Sequence, residues 1–243
     1  MEDTGQKLVD TALPYWEAEA EIARRFFATA DRDGHIFYLR AQLWKELNPV
    51  DGYFNGLHRE LVKAAEMFPR VGTEIDRHDY HFLLQQLADE FNHYVVLADI
   101  LEFLLGRAIT AEDTVQLPQE KRLGDIRRSY VEGGDALERA AVGFTEGGGA
   151  ALFRIGADLG GSELNHMTAK AMQVIYDDEK DHYTVQAGEA ERLIGNDDDL
   201  GRMCDAIRAV SLQRVHMRNE MFGATMTGAE INKFIAENTG EAV

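Results

Sequence analysis

Two hexapeptides of this chain, DEFNHY at 89–94 and DEKDHY at 178–183, place an acid, a second acid and a histidine at the same spacing. On a helix, residues three apart share a face, so Glu90 with His93, and Glu179 with His182, can each grip one ion. A third pair of this spacing, Glu163 with His166, follows Gly160, Gly161 and Ser162. An acid there favours the positive end of a helix dipole, so that pair reads as a cap and not as a ligand set.

Neighbouring residue types separate the repeated pair from ordinary surface acids. Glu90 belongs to the stripe Leu83, Leu87, Tyr94, Leu97, Leu101, and Glu179 to Met172, Ile175, Tyr176, Tyr183, Ala187. An ionised carboxylate pointing where its apolar neighbours point costs several kcal/mol unless it is protonated, paired or metal-bound. A two-metal site between helices asks for one further glutamate from each of two more helices. Antiparallel helices bring residues level when both are equidistant from the turn. Glu60 and Glu90 are centred on position 75, about 22 Å of helix from it, and Glu146 and Glu179 are centred between 162 and 163. Glu60 and Glu146 are therefore the expected additional ligands, with Glu17, Glu19 and Glu21 competing with Glu60.

Four carboxylates balance two divalent ions, so a set that is prohibitive when empty becomes neutral when filled. Carboxylate with imidazole suits iron or manganese and leaves coordination positions open, whereas the lack of thiolates speaks against structural zinc. Asp89 and Asp178 are expected to stand behind the histidines, Asp178 accepting from His93 and Asp89 from His182. Glu146, Tyr94 and Tyr183 are the candidates for a direct part in chemistry. The glycines of EGGGAA at 146–151 need a reason, since each weakens a helix by roughly 1 kcal/mol relative to alanine. Close helix packing and an open space beside Glu146 are the two on offer.

Helices must position these residues. Only Pro14, Pro49, Pro69 and Pro118 interrupt the chain, and its periodic segments follow the 3.6-residue repeat, so an all-α fold is expected. Helices are predicted at 14–30, with Pro14 in the first turn, and at 36–47, 52–68, 76–106, 132–158, 163–194, 198–222 and 228–238. GGS at 160–162 marks the turn between two of them. The segment 107–131 lacks a clean apolar stripe and reads as a long crossover between two helical hairpins. One domain is expected over 1–243, with a four-helix bundle core at about 52–195, added N-terminal helices at 14–47 and C-terminal helices at 198–238.

Composition narrows the classes of function. A net charge of −18 repels phosphate backbones and anionic lipid, so neither nucleic acid nor membrane is an expected partner. The single cysteine, Cys204, excludes an internal disulfide and a thiolate-held cluster within the chain. With no stretch of about 18 uncharged apolar residues and no secretory leader pattern, the chain reads as soluble and cytoplasmic.

A glutamate, an E-x-x-H, a crossover, a glutamate and a second E-x-x-H resemble the ferritin-like di-iron carboxylate superfamily. The matching residues are Glu60, Glu90 with His93, Glu146, and Glu179 with His182. The leading aspartates are similar to the D-E-x-R-H form of the di-iron monooxygenases, although Asn92 and Asp181 stand where those enzymes carry arginine. The resemblance implies a ferritin-like four-helix bundle holding two Fe ions, with Mn possible. It also implies activation of O2 to oxidise a small organic substrate, with electrons from an external ferredoxin or flavin reductase, in a homodimer. Iron handling of the ferroxidase kind, and a helical subunit keeping a relic site, are the competing expectations.

Overall fold

The computed structural model describes residues 4–49, 56–144, 146–180 and 182–239, with backbone alone at 146, 182–186 and 189. Among the described residues the regular structure is helical: α1 (Thr4–Thr29), α2 (Arg32–Leu47), α3 (Leu57–Met67), α4 (Arg77–Leu105), α5 (Pro118–Gly133), α6 (Ala136–Gly143), α7 (Glu146–Ala157), α8 (Glu163–Glu179), α9 (His182–Leu193), α10 (Asp197–Met221) and α11 (Gly228–Thr239). No strand occurs among them, and none of their helices is long and apolar enough to cross a membrane.

Local chemistry sets many of the ends. Asp31 accepts from the Gly34 N–H, Asp76 from His78, Ser162 from Asn165 and Asn196 from Asp199, each satisfying an amide that the helix leaves bare. Gly106 closes α4 in the left-handed region, at φ 70°. Asp135 and Glu138 form a capping box that starts α6 just after Gly133 and Gly134, which divides the helix predicted at 132–158. The run predicted at 163–194 carries α8 and α9 on either side of Asp181, which lies outside the described residues.

Two further expectations change. Helix α1 begins at Thr4, ten residues before Pro14, which therefore lies inside it. An interior proline costs about 3 kcal/mol, but the added segment buries Leu8 and Ala12 completely, extending the stripe that runs on to Trp16, Ala23 and Phe26. The segment 107–131 is not a plain connection, because α5 occupies its second half with Pro118 in the first turn.

Helix α1 packs on α7 and α10, α2 on α4, α7 on α8, and α4 on α8. The helices expected as additions at the two ends of the chain thus contribute to the main core. Ile22 and Phe26 of α1, Tyr38 and Leu39 of α2 and Val210 and Met217 of α10 share one apolar cluster with Leu97, Leu101, Leu152 and Met172. Within it Tyr38 stacks on Phe222 at 4.5 Å, and burial pushes its phenol well above the usual range. Helix α3 stands apart with α4, through a small cluster of Leu57, Ala64, Tyr80 and Leu87.

Candidate metal centre

Three side chains from two helices converge. Glu46 lies in the last turn of α2, and Glu90 and His93 lie mid-way along α4. One ligand atom from each falls within 4.8 Å of the others. Glu46 and His93 are each 2% exposed. From α8, Asp178 Oδ2 lies 3.1 Å from His93 Nε2, and Glu179 Oε1 lies 3.9 Å from His93 Nδ1. An ionised carboxylate can only accept, so Asp178 fixes the imidazole proton on Nε2 and leaves the Nδ1 lone pair for a metal.

Glu46, Glu90, His93 and Glu179 border a cavity of about 40 Å³. Four carboxylates line it, Glu46, Glu90, Glu120 and Glu179, together with four cations, Lys45, Arg127, Arg214 and Arg218. Glu120 Oε2 is buried with no hydrogen-bond partner among the described residues. A carboxylate oxygen in that state is stabilised by a cation, which is an observation in favour of a metal here. The cations sit in a network of their own. Arg214 Nε donates to both oxygens of Glu19 at 2.8 and 3.1 Å, and Arg218 Nε donates to Glu19 Oε2 at 3.2 Å. Arg218 Nη1 donates to Gln42 Oε1 at 2.6 Å, and Gln42 Nε2 in turn donates to Glu46. Burial, and then the neighbouring Arg214, hold the Arg218 guanidinium below the usual arginine range. Counting Glu19 and Asp178 with the lining, negative charges exceed positive ones by two, so the wall already offsets most of its own carboxylates.

The glycines of EGGGAA are explained by contact. A methyl on Gly147 would overlap the Trp16 ring, one on Gly148 would reach within 2.8 Å of Glu19 Cδ, and one on Gly149 would stand 2.8 Å from Arg214 Nη2. Gly147 and Gly148 serve close packing of α7 on α1, while Gly149 borders the cavity; a space beside the Glu146 side chain lies outside the described residues.

Register decides which of the expected ligands meet. Helices α3 and α4 are centred on position 72, not 75, because α3 ends at Met67 and α4 starts at Arg77. Glu60 is therefore level with position 84, about 9 Å along the helix from Glu90. It is 6% exposed, accepts from Lys63 Nζ at 3.1 Å and does not line the cavity. Glu46 stands where Glu60 was expected. Of the first-helix competitors, Glu19 lies behind the cavity and holds two arginines instead of facing it. In the second hairpin, Gly156 abuts Met172, which centres the pair on 164. The residue of α7 level with Glu179 is then Gly149, one turn beyond Glu146.

The side chains of Glu146, His182 and Tyr183 lie outside the described residues, so the pairing of Asp89 with His182 does too. Asp89 itself is half-buried on α4. Tyr94 stacks on Phe91 at 5.8 Å, packs on the main core and does not border the cavity, and burial raises its phenol above the ordinary value. His166 is exposed, as suits a capping segment.

Sequence reasoning missed Glu46, Glu120, Arg127, Arg214 and Arg218. Glu46 had a signal, since it continues the stripe Leu39, Gln42, Leu43 of α2. Comparison with protein-family models, with curated proteins and with solved structures returns no match for this chain.

Proposed function

We propose that this chain is a metal-dependent oxidoreductase of the ferritin-like di-iron kind, activating O2 to oxidise a small organic substrate. The convergence of Glu46, Glu90 and His93 within 4.8 Å in a buried cavity carries this reading. The pairing of α2 with α4, α7 with α8, and α4 with α8 around that cavity supports a four-helix arrangement in which α2 takes the place expected of α3. Glu46, Glu90, His93 and Glu179 would hold metal, with Glu120 as a further oxygen donor. Glu146 and His182 are the sequence candidates for completing a second ion's shell.

Bound iron or manganese supplies the capacity to activate O2, which no side chain of the site possesses. The chain's own residues do the rest. Asp178 holds the His93 proton on Nε2, and Gln42 donates to Glu46 and orients it. The buried walls of α4, α7 and α10 keep bulk water from the centre. Electrons come from a separate donor, a ferredoxin or flavin reductase.

Elemental analysis after anaerobic Fe(II) loading tests the reading. About two ions per chain are expected, with most of the metal lost in Glu46→Ala and in His93→Ala. Undiminished metal in both variants would overturn it. Optical spectra recorded on admitting oxygen then separate a reactive centre from an inert one.

A further inference from the structure

Arg218 points beyond the metal to what binds beside it. Its side chain is completely buried, yet it borders the same cavity as Glu46, Glu90, His93 and Glu179. Two of its three nitrogens are engaged, Nε by Glu19 and Nη1 by Gln42. Nη2 is buried and has no hydrogen-bond partner among the described residues. A donor in that state lacks an acceptor that the protein itself does not provide. Arg214 lies one helical turn away on α10, borders the cavity as well, and shares the single carboxylate of Glu19 with Arg218. Both guanidiniums thus hydrogen-bond to the same carboxylate.

We propose that Arg218, with Arg214 beside it, is the subsite that holds the carboxylate of a small organic acid, and that such acids are the substrate class of the centre. The inference rests on the metal reading above. Charge favours it. The residues around the cavity carry two more negative than positive charges, so one divalent ion neutralises them and a second leaves a positive excess that a monoanion halves. Geometry favours it too, because Nη2 of Arg218 is left to donate a charge-assisted hydrogen bond to a carboxylate oxygen. Gly149 keeps open the space against Arg214 Nη2 that any side chain would fill. The narrowness of the cavity, about 40 Å³, and the chain's net charge of −18 both select a small monoanion over a phosphate ester.

Calorimetric titration of the full chain, saturated with Mn(II) as a redox-inert probe, with propionate and with propionamide provides the test. Propionate is expected to bind and the amide to bind at least about 10-fold more weakly. Arg218→Gln and Arg218→Lys are each expected to lower propionate affinity by about 10- to 100-fold, the loss of a charge-assisted hydrogen bond. Glu19 keeps Arg214 as its partner in the glutamine variant, and the lysine variant retains the charge, so folded protein is available from at least one. Equal binding of acid and amide, or propionate affinity unchanged in both variants, would overturn the subsite and leave Nη2 to a buried water. Wild-type protein that takes up no Mn(II) would instead overturn the metal reading. The subsite falls with that reading, whereas Mn(II) uptake together with propionate affinity unchanged in both variants overturns the subsite alone.

Discussion

Replacing Gly148 by alanine sets two physical effects of opposite sign against each other. Helix propensity favours alanine by at most roughly 1 kcal/mol, and α7 carries this glycine in its first turn. Packing opposes it, because the new methyl would overlap a Glu19 oxygen and stand 2.8 Å from Glu19 Cδ and 3.1 Å from Trp16 Cδ1. Glu19 cannot step aside, since it is 0% exposed and its two oxygens hold Arg214 and Arg218. Displacing it strips the acceptor from two buried guanidiniums, a loss of about 3–5 kcal/mol when one partner of a buried pair is removed. The net expectation for Gly148→Ala is a destabilisation of about 2–4 kcal/mol after the propensity gain is subtracted. Gly201 is the control, being helical, exposed and without neighbours within 4 Å. Gly201→Ala should stabilise by about 0.5–1 kcal/mol. Urea unfolding at one pH measures both as shifts in midpoint at constant slope. If Gly148→Ala stabilises the protein as Gly201→Ala does, α7 does not approach α1 as closely as described, and the account of the glycine run is wrong.

Three other outcomes are expected. Asp178→Asn should weaken binding of Fe(II) or Mn(II) by about 10- to 100-fold without unfolding the chain, because the amide no longer fixes the His93 tautomer; unchanged affinity would remove Asp178 from the site. Tyr80→Phe removes the 2.8 Å bond from the tyrosine hydroxyl to the Ala64 carbonyl that ties α4 to α3, and should cost about 0.5–1.5 kcal/mol in a melt while leaving metal content unchanged. Glu230 is held down at about 2 by the Thr227 backbone N–H first, then by the Thr227 hydroxyl and Arg25. Its folded value lies below the unfolded one, so its contribution is complete above about pH 4.5 and disappears as pH falls towards 2. The stability gap between wild type and Glu230→Gln should close over that window, and a gap independent of pH would contradict the cap at the start of α11.

What the sequence made legible, and what it did not, follows from which forces act locally. Caps at Asp76 and Ser162 and the apolar stripe of α4 are set within a few residues, and the chain announces them. The level of one helix against its neighbour is set by turn geometry and by contacts distant in sequence. A turn centred on 72 instead of 75 moves Glu60 about 9 Å along the helix from Glu90. The Gly156–Met172 contact brings Gly149 to the level of Glu179 in the same way. Pro14 misled for a related reason, since its local cost is outweighed by burial of Leu8 and Ala12 against helices far along the chain.

The cavity wall escaped detection for a different reason, which is physical and general. Helix α5 buries Glu120, Leu123, Gly124 and Arg127, a stripe of i, i+3, i+4 and i+7 with the period of any amphipathic helix. Two of those four residues are charged, so hydropathy shows no stripe and the segment reads as a connection. Helix α10 does the same with Ser211, Arg214 and Arg218 among its buried positions. A helix that lines a polar site must turn charge inward, which weakens the apolar signal in the very segments that carry the chemistry. Charged residues at helical spacing between apolar ones, in a segment that otherwise reads as a loop, are therefore worth testing as the wall of a site before they are assigned to solvent.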